Sequence, residues 1–167
     1  MPIPAPTTAM PCPLWRRLAA LAYDLLAVVA IVMVVGLLCQ LATGGRLIGT
    51  GTRVLIPSWY RPLQGLVVAA YFISSWRYGG QTLGMRAWRT RLVRSDGGTV
   101  TLAQGALRVL VAGLPMAALA LAPAWGLRAT LWFAAALWTL WFALALFDRR
   151  RRTLHDLAAG TELRRAD

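Results

Sequence analysis

Lysine is absent, histidine occurs once, cysteine twice, and acidic residues number only six in a chain of 167. Each shortage excludes something. A lone histidine, His155, does not make a metal site, and no Ser-His-Asp or Cys-His arrangement, nucleotide-binding glycine loop or metal-ligand spacing accompanies it. Enzyme chemistry is therefore not expected, and neither a cofactor nor a metal is called for. Cys12 and Cys39 bracket the first long apolar run, so a membrane would separate them and a disulfide between them is excluded. All 18 basic residues are arginine, a bias that genomic base composition is enough to explain.

Apolar residues dominate instead. At 58% hydrophobic the chain is too apolar for a soluble domain of this size, which points to one membrane domain with a few spans. The run Leu18 to Cys39 organises the rest. A hydrocarbon slab of about 30 Å takes about 20 helical residues, so this run is long enough to cross one. Its apolar core is too long for a secretory leader, and Leu37-Leu38-Cys39 offers no small residue before a cleavage point, so it reads as retained. The fold class is thus an all-α membrane protein, a four-transmembrane-helix bundle with helices at about 18–41, 59–76, 102–125 and 129–147. Residues 1–13, with five of the nine prolines and no charge, form a flexible lead-in to a membrane domain over 14–167, whose tail is 148–167. The second helix is the shortest apolar run, and a re-entrant or interfacial segment is its alternative.

A net charge of +12 raises the question of nucleic acid. In a nucleic-acid protein the charge should line one groove or helix, whereas here it gathers at the ends of apolar runs and orients a membrane protein, so no nucleic-acid partner is expected. Placing both termini and the 77–108 loop on one side puts fourteen arginines there, against Arg46, Arg53, Arg61 and Arg128 on the other. Cation-rich loops stay cytoplasmic. The expectation is a multi-pass protein of the inner or plasma membrane with both termini cytoplasmic.

Within the polar loop, Gly79 to Gly84 reads as a flexible break. The alternating run Arg89 to Arg94 before Ser95-Asp96-Gly97-Gly98 is a hairpin signal, with Thr99-Val100-Thr101 as its return strand. Thr101-Leu-Ala-Gln104 fits a capping box at the start of the third helix, and Pro115 predicts a kink within it.

Arg17 and Asp24 lie two helical turns apart, on one face of the first helix. An aspartate inside a span costs roughly 2.5 to 3.5 kcal/mol on insertion scales, so it asks for a reason. Two readings stand: a structural lock, in which Asp24 pairs with Arg17 or with Arg108 of a neighbouring helix, and a site where the acid binds a cation or exchanges a proton. From spacing alone His155 and Asp156 belong to a solvated tail. Arg149, Arg150, Arg151 and Arg152 orient the fourth helix and would contact anionic lipid.

Three blocks in order resemble the RDD family of small integral membrane proteins, named for one arginine and two aspartates. They are Arg17 through Tyr23-Asp24, then Gly80-Gln-Thr-Leu-Gly84 continuing through Arg91-Leu-Val to Asp96-Gly97 and Leu107-Arg108, and finally Leu154-His-Asp156-Leu-Ala-Ala-Gly-Thr161. The family often has a lysine after the second glycine of the middle block, where this chain has Met85 followed by Arg86. The resemblance implies a multi-pass domain for which transport of unidentified ligands is the usual suggestion. It also implies a role for Asp156, for example docking the tail at the cytoplasmic mouth opposite Arg17 or the 77–108 loop. Two functions are carried forward: a small transporter of an ion or solute with the Arg17/Asp24 face at the site, oligomerising to enclose a path, and a non-transporting adaptor whose basic face binds a protein partner or anionic lipid. Besides the lipid bilayer, the expected partner is a second copy or another membrane protein.

Overall fold

The computed structural model describes residues 12–45, 47 and 56–166. Helix α1, Leu14–Ala42, begins directly after Pro13, four residues ahead of the expected start, so Trp15, Arg16 and Arg17 belong to its first turns. It ends where Gly44 and Gly45 take positive φ and the Thr43 hydroxyl donates to the Cys39 carbonyl. Helix α2, Tyr60–Ser74, runs into a π-helical turn, Ser75–Gly79. Its fifteen residues rise about 22 Å, less than the hydrocarbon thickness, and the π turn extends them. The third long segment opens with α4, Leu102–Ala117, capped by the expected box: Gln104 N–H bonds Thr101 Oγ1 and Thr101 N–H bonds Gln104 Oε1. Pro115 sits inside α4, and just after it the helix tightens to a 3₁₀ stretch, Ala118–Leu121, before the short α5, Ala122–Trp125. This is the local cost of a proline that gives up one backbone bond. Helix α6 covers Leu127–Phe147.

Three of these segments are long and apolar enough to cross a membrane: Leu14–Ala42, Leu102–Trp125 and Leu127–Phe147. Their side chains are placed as a hydrocarbon solvent demands, with Leu25, Leu26, Met33, Leu110, Leu131 and Leu146 largely exposed.

The packed core lies at one end of the helices. There the N-terminal ends of α1 and α4 and the C-terminal ends of α2 and α6 meet a polar cap built from α3 (Leu83–Ala87), β1 (Thr90–Arg94), α7 (Leu154–Ala159) and β2 (Thr161–Arg165). Cys12, Ala20, Trp76, Met85, Leu92, Val100 and Leu163 form its apolar centre.

The cap corrects the expected hairpin. The Asp96-Gly97 turn does form, with Arg94 N–H bonded to the Gly98 carbonyl and Gly97 at φ 87°. Yet residues 99–101 lead into the α4 cap and do not return along β1. The partner is β2, antiparallel, with Leu92 opposite Leu163. Two short strands need a hydrophobic face to be stable, and Leu92 opposite Leu163 supplies it, while Val100 of the expected return strand joins the same core without pairing with β1. Both edges are closed as well. Cys12 N–H bonds the Leu163 carbonyl on one side, and Leu92 N–H bonds the Gly80 carbonyl on the other.

Candidate functional site

Two aspartates are buried beneath this cap, Asp24 on α1 and Asp156 on α7. Their surroundings differ completely.

Asp156 is fully enclosed. Thr153 caps α7, and Asp156, at the third helical position, returns the bond by accepting from Thr153 N–H at 3.0 Å and from its hydroxyl at 2.9 Å. Arg17 Nη1 donates to the same oxygen at 2.7 Å, and Arg108 Nη1 donates to the other. Arg108 Nη1 also reaches Thr161 Oγ1 at 2.9 Å, and its guanidinium lies 5.1 Å from the centre of the Trp76 ring. Burial alone would raise the Asp156 carboxyl. Arg108, Arg17 and the Thr153 N–H more than reverse that and hold it below the usual carboxylate range. His155 beside it is half-buried, edge-on to Phe142 and within 2.9 Å of Thr153 Oγ1. Burial first, and then Arg108 and Arg17, push its imidazole down to about 3, so it is neutral at physiological pH.

Asp24 is 3% exposed and has no arginine partner among the described residues. Thr82 Oγ1 donates to Oδ2 at 2.5 Å, Gly84 N–H to Oδ1 at 2.8 Å and the Tyr71 hydroxyl to Oδ1 at 3.3 Å. Thr82 is the N-cap of α3, accepting from Met85 N–H while giving its proton to Asp24. The Tyr71 hydroxyl likewise accepts from Leu83 N–H. Gly84 makes this docking possible: a Cβ there would lie 2.0 Å from the Ala20 carbonyl oxygen. The Gly80–Gly84 block is therefore an ordered turn and helix start pressed onto α1, not the loose break expected from its glycines.

These contacts overturn the expected pairing of Asp24 with Arg17 or Arg108. Side chains on a helix lean toward its N-terminus. Arg17 accordingly reaches back, its Nε bonding the Cys12 carbonyl, and meets α7; Asp24 leans the same way and meets α3. The solvated tail is overturned too, since α7 and β2 are integral to the cap. Arg17, Arg108, His155 and Asp156 come together, whereas Asp24 stands apart. Of the arginine run, Arg150 reaches Glu162 at 3.5 Å and Arg152 pairs with Asp148, whose carboxyl falls to about 2, while Arg149 and Arg151 face outward. Sequence reading missed Tyr71 and Thr153, and gave no role to Thr82 and Thr161, which stand inside the family blocks. The spacing Thr153-Leu-His-Asp156 is a capping-box signal of the kind recognised at Thr101 and would have placed α7.

The RDD family model matches residues 11–160. The chain belongs to the RDD family. The match runs from the residue before Cys12 to the end of α7, and so includes both aspartates and both arginines of the site. No curated protein and no solved structure matches the chain. As an RDD protein with long apolar helices it is a membrane protein.

Proposed function

We propose that this RDD protein crosses the inner or plasma membrane four times, with its arginine-rich cap and both termini in the cytoplasm, and moves an ion or small solute through a site at Asp24. The observation that carries this reading is that no guanidinium among the described residues pairs with Asp24. A carboxylate buried in a span and met only by a hydroxyl, a phenol and an amide has no fixed counter-charge. A proton or a monovalent cation would supply one, and the Thr82 and Tyr71 oxygens, each with one lone pair left after accepting a backbone N–H, could face it. Asp156, locked by two arginines, is unsuited to such exchange and serves as the structural clamp. Enclosing a path would take more than one copy.

The test is cation and pH-gradient flux into liposomes holding wild type or Asp24→Asn, after matching their helix content. Flux lost in the mutant is the expected result; unchanged flux sinks the reading. The second reading, a non-transporting adaptor, draws on the exposed arginines of the cap. No flux in either protein, together with stoichiometric recovery of a partner dependent on those arginines, would favour it.

A further inference from the structure

The cap holds a cluster of arginines that the site does not use. Arg77 and Arg86 are exposed and make no ion pair among the described residues, and Arg91, also exposed, donates only to the Gly79 carbonyl at 3.4 Å. Two of them, Arg86 and Arg91, meet at one turn, and Arg77 belongs to that turn. A Cβ at Gly79 would lie 3.4 Å from Arg86 Nη2, and one at Gly80 2.8 Å from Arg91 Nε, so both guanidinium groups pass over the Gly79-Gly80 backbone while Arg77 projects from the π turn that ends there. The other described acids are committed elsewhere: Asp96 to Arg94, Asp148 to Arg152, Glu162 to Arg150 and Arg164, and the two buried aspartates to their own partners. The turn therefore carries three positive charges with no counter-charge from the described residues.

Its apolar neighbours indicate what supplies one. Tyr78, 85% exposed, stands on the same turn, and Leu83, 59% exposed, begins α3 directly above Tyr71 of α2. A phosphate at the turn would thus sit where hydrocarbon-facing helix meets polar cap. A soluble acidic peptide would gain nothing from Leu83 and Tyr78, whereas a lipid uses both halves of the surface. Arginine forks suit phosphate oxygens in pairs. We propose that Arg77, Arg86 and Arg91 form a binding site for the phosphate headgroup of an anionic membrane lipid, with Tyr78 and Leu83 against its glycerol and acyl chains. The arginine run after α6 is not this site, because half of it is neutralised by Asp148 and Glu162.

Native mass spectrometry of the full chain in neutral detergent tests this, with phosphatidylglycerol titrated against phosphatidylcholine of the same acyl chains. Wild type should prefer phosphatidylglycerol, and the preference should fall with salt. The triple variant Arg77→Gln, Arg86→Gln, Arg91→Gln removes exposed side chains only and should lose on the order of 100-fold in that preference. Arg149→Gln with Arg151→Gln should lose far less. Circular dichroism confirms equal helix content, and if the triple variant falls short there, Arg86→Lys, which keeps the charge and loses the fork, should still weaken the preference. Equal losses in the two variant sets would reduce the effect to diffuse charge and overturn the site. Full competition by millimolar inorganic phosphate, or selective binding of an acidic peptide with no lipid preference, would overturn it as well.

Discussion

Asp24 and Asp156 are both carboxylates buried under the same cap, yet among the described residues Asp156 is held by two arginines and Asp24 by none. The difference shows how a chain with six acids divides labour between them. At Asp156 three charges sit together with an excess of one positive, and Arg17 Nη2 finds no acceptor among the described residues. Such a cluster has paid its desolvation cost already and is sensitive to losing a member. At Asp24 the partners are neutral, so loss of its charge would leave no opposite charge stranded.

The largest expected effect comes from breaking the clamp. Asp156→Asn leaves two guanidinium groups buried against each other and should cost about 3 to 5 kcal/mol in detergent unfolding, enough to abolish the folded cap. A preserved melting temperature would show that the clamp is not what joins α1, α4 and α7. Gly84→Ala comes next. The obstruction is the Ala20 backbone, which cannot swing aside, so about 3 kcal/mol is expected together with a shift of α3 off α1. Flux falling in Gly84→Ala while Asp24 remains intact would tie the function to the geometry of the Asp24 pocket.

Acidification probes the clamp side of the comparison. The His155 imidazole takes up its proton near 6.5 when unfolded and only near 3 when folded, so the unfolded state binds more protons between those values. Stability should therefore fall as pH drops below about 6.5, by about 2 kcal/mol on reaching pH 5, and His155→Gln should flatten that slope. The depressed Asp156 carboxyl adds a further loss only below about pH 4, where the unfolded chain becomes protonated first. The smallest effect on stability belongs to Asp24→Asn. It keeps the shape and most of the hydrogen bonds, so about 1 kcal/mol is expected in the same unfolding measurement. A loss as large as that of Asp156→Asn would erase the distinction between the two acids and make Asp24 a second clamp.

Much of this was legible beforehand. The long apolar runs, the Thr101 capping box and the disturbance after Pro115 follow from local rules, and the family blocks marked Arg17, Asp24, Arg108 and Asp156. The resemblance did suggest Asp156 opposite Arg17, and the structure joins them, but the partners of Asp24 were not legible. Spacing on α1 placed Arg17 and Asp24 on one face, and proximity of opposite charges suggested a pair. A lean toward the N-terminus is shared by both side chains and so leaves the two turns between them open, and each is met instead by a partner 139 or 58 residues distant along the chain. The strand pairing failed for a similar reason. A turn signal specifies a reversal, and β1 then pairs with whichever strand brings a matching apolar face, here Leu163 from near the end of the chain.

The sequence by itself determined that this is a membrane protein, where its long helices run, and which few charged residues its apolar segments tolerate. Those properties are set by hydropathy and by charges counted along the chain. Only the tertiary structure decided that two arginines and one aspartate close the cap while the other aspartate meets hydroxyls and a backbone amide. That assignment depends on the reach and direction of side chains between distant elements, and on a glycine small enough to let α3 settle against α1.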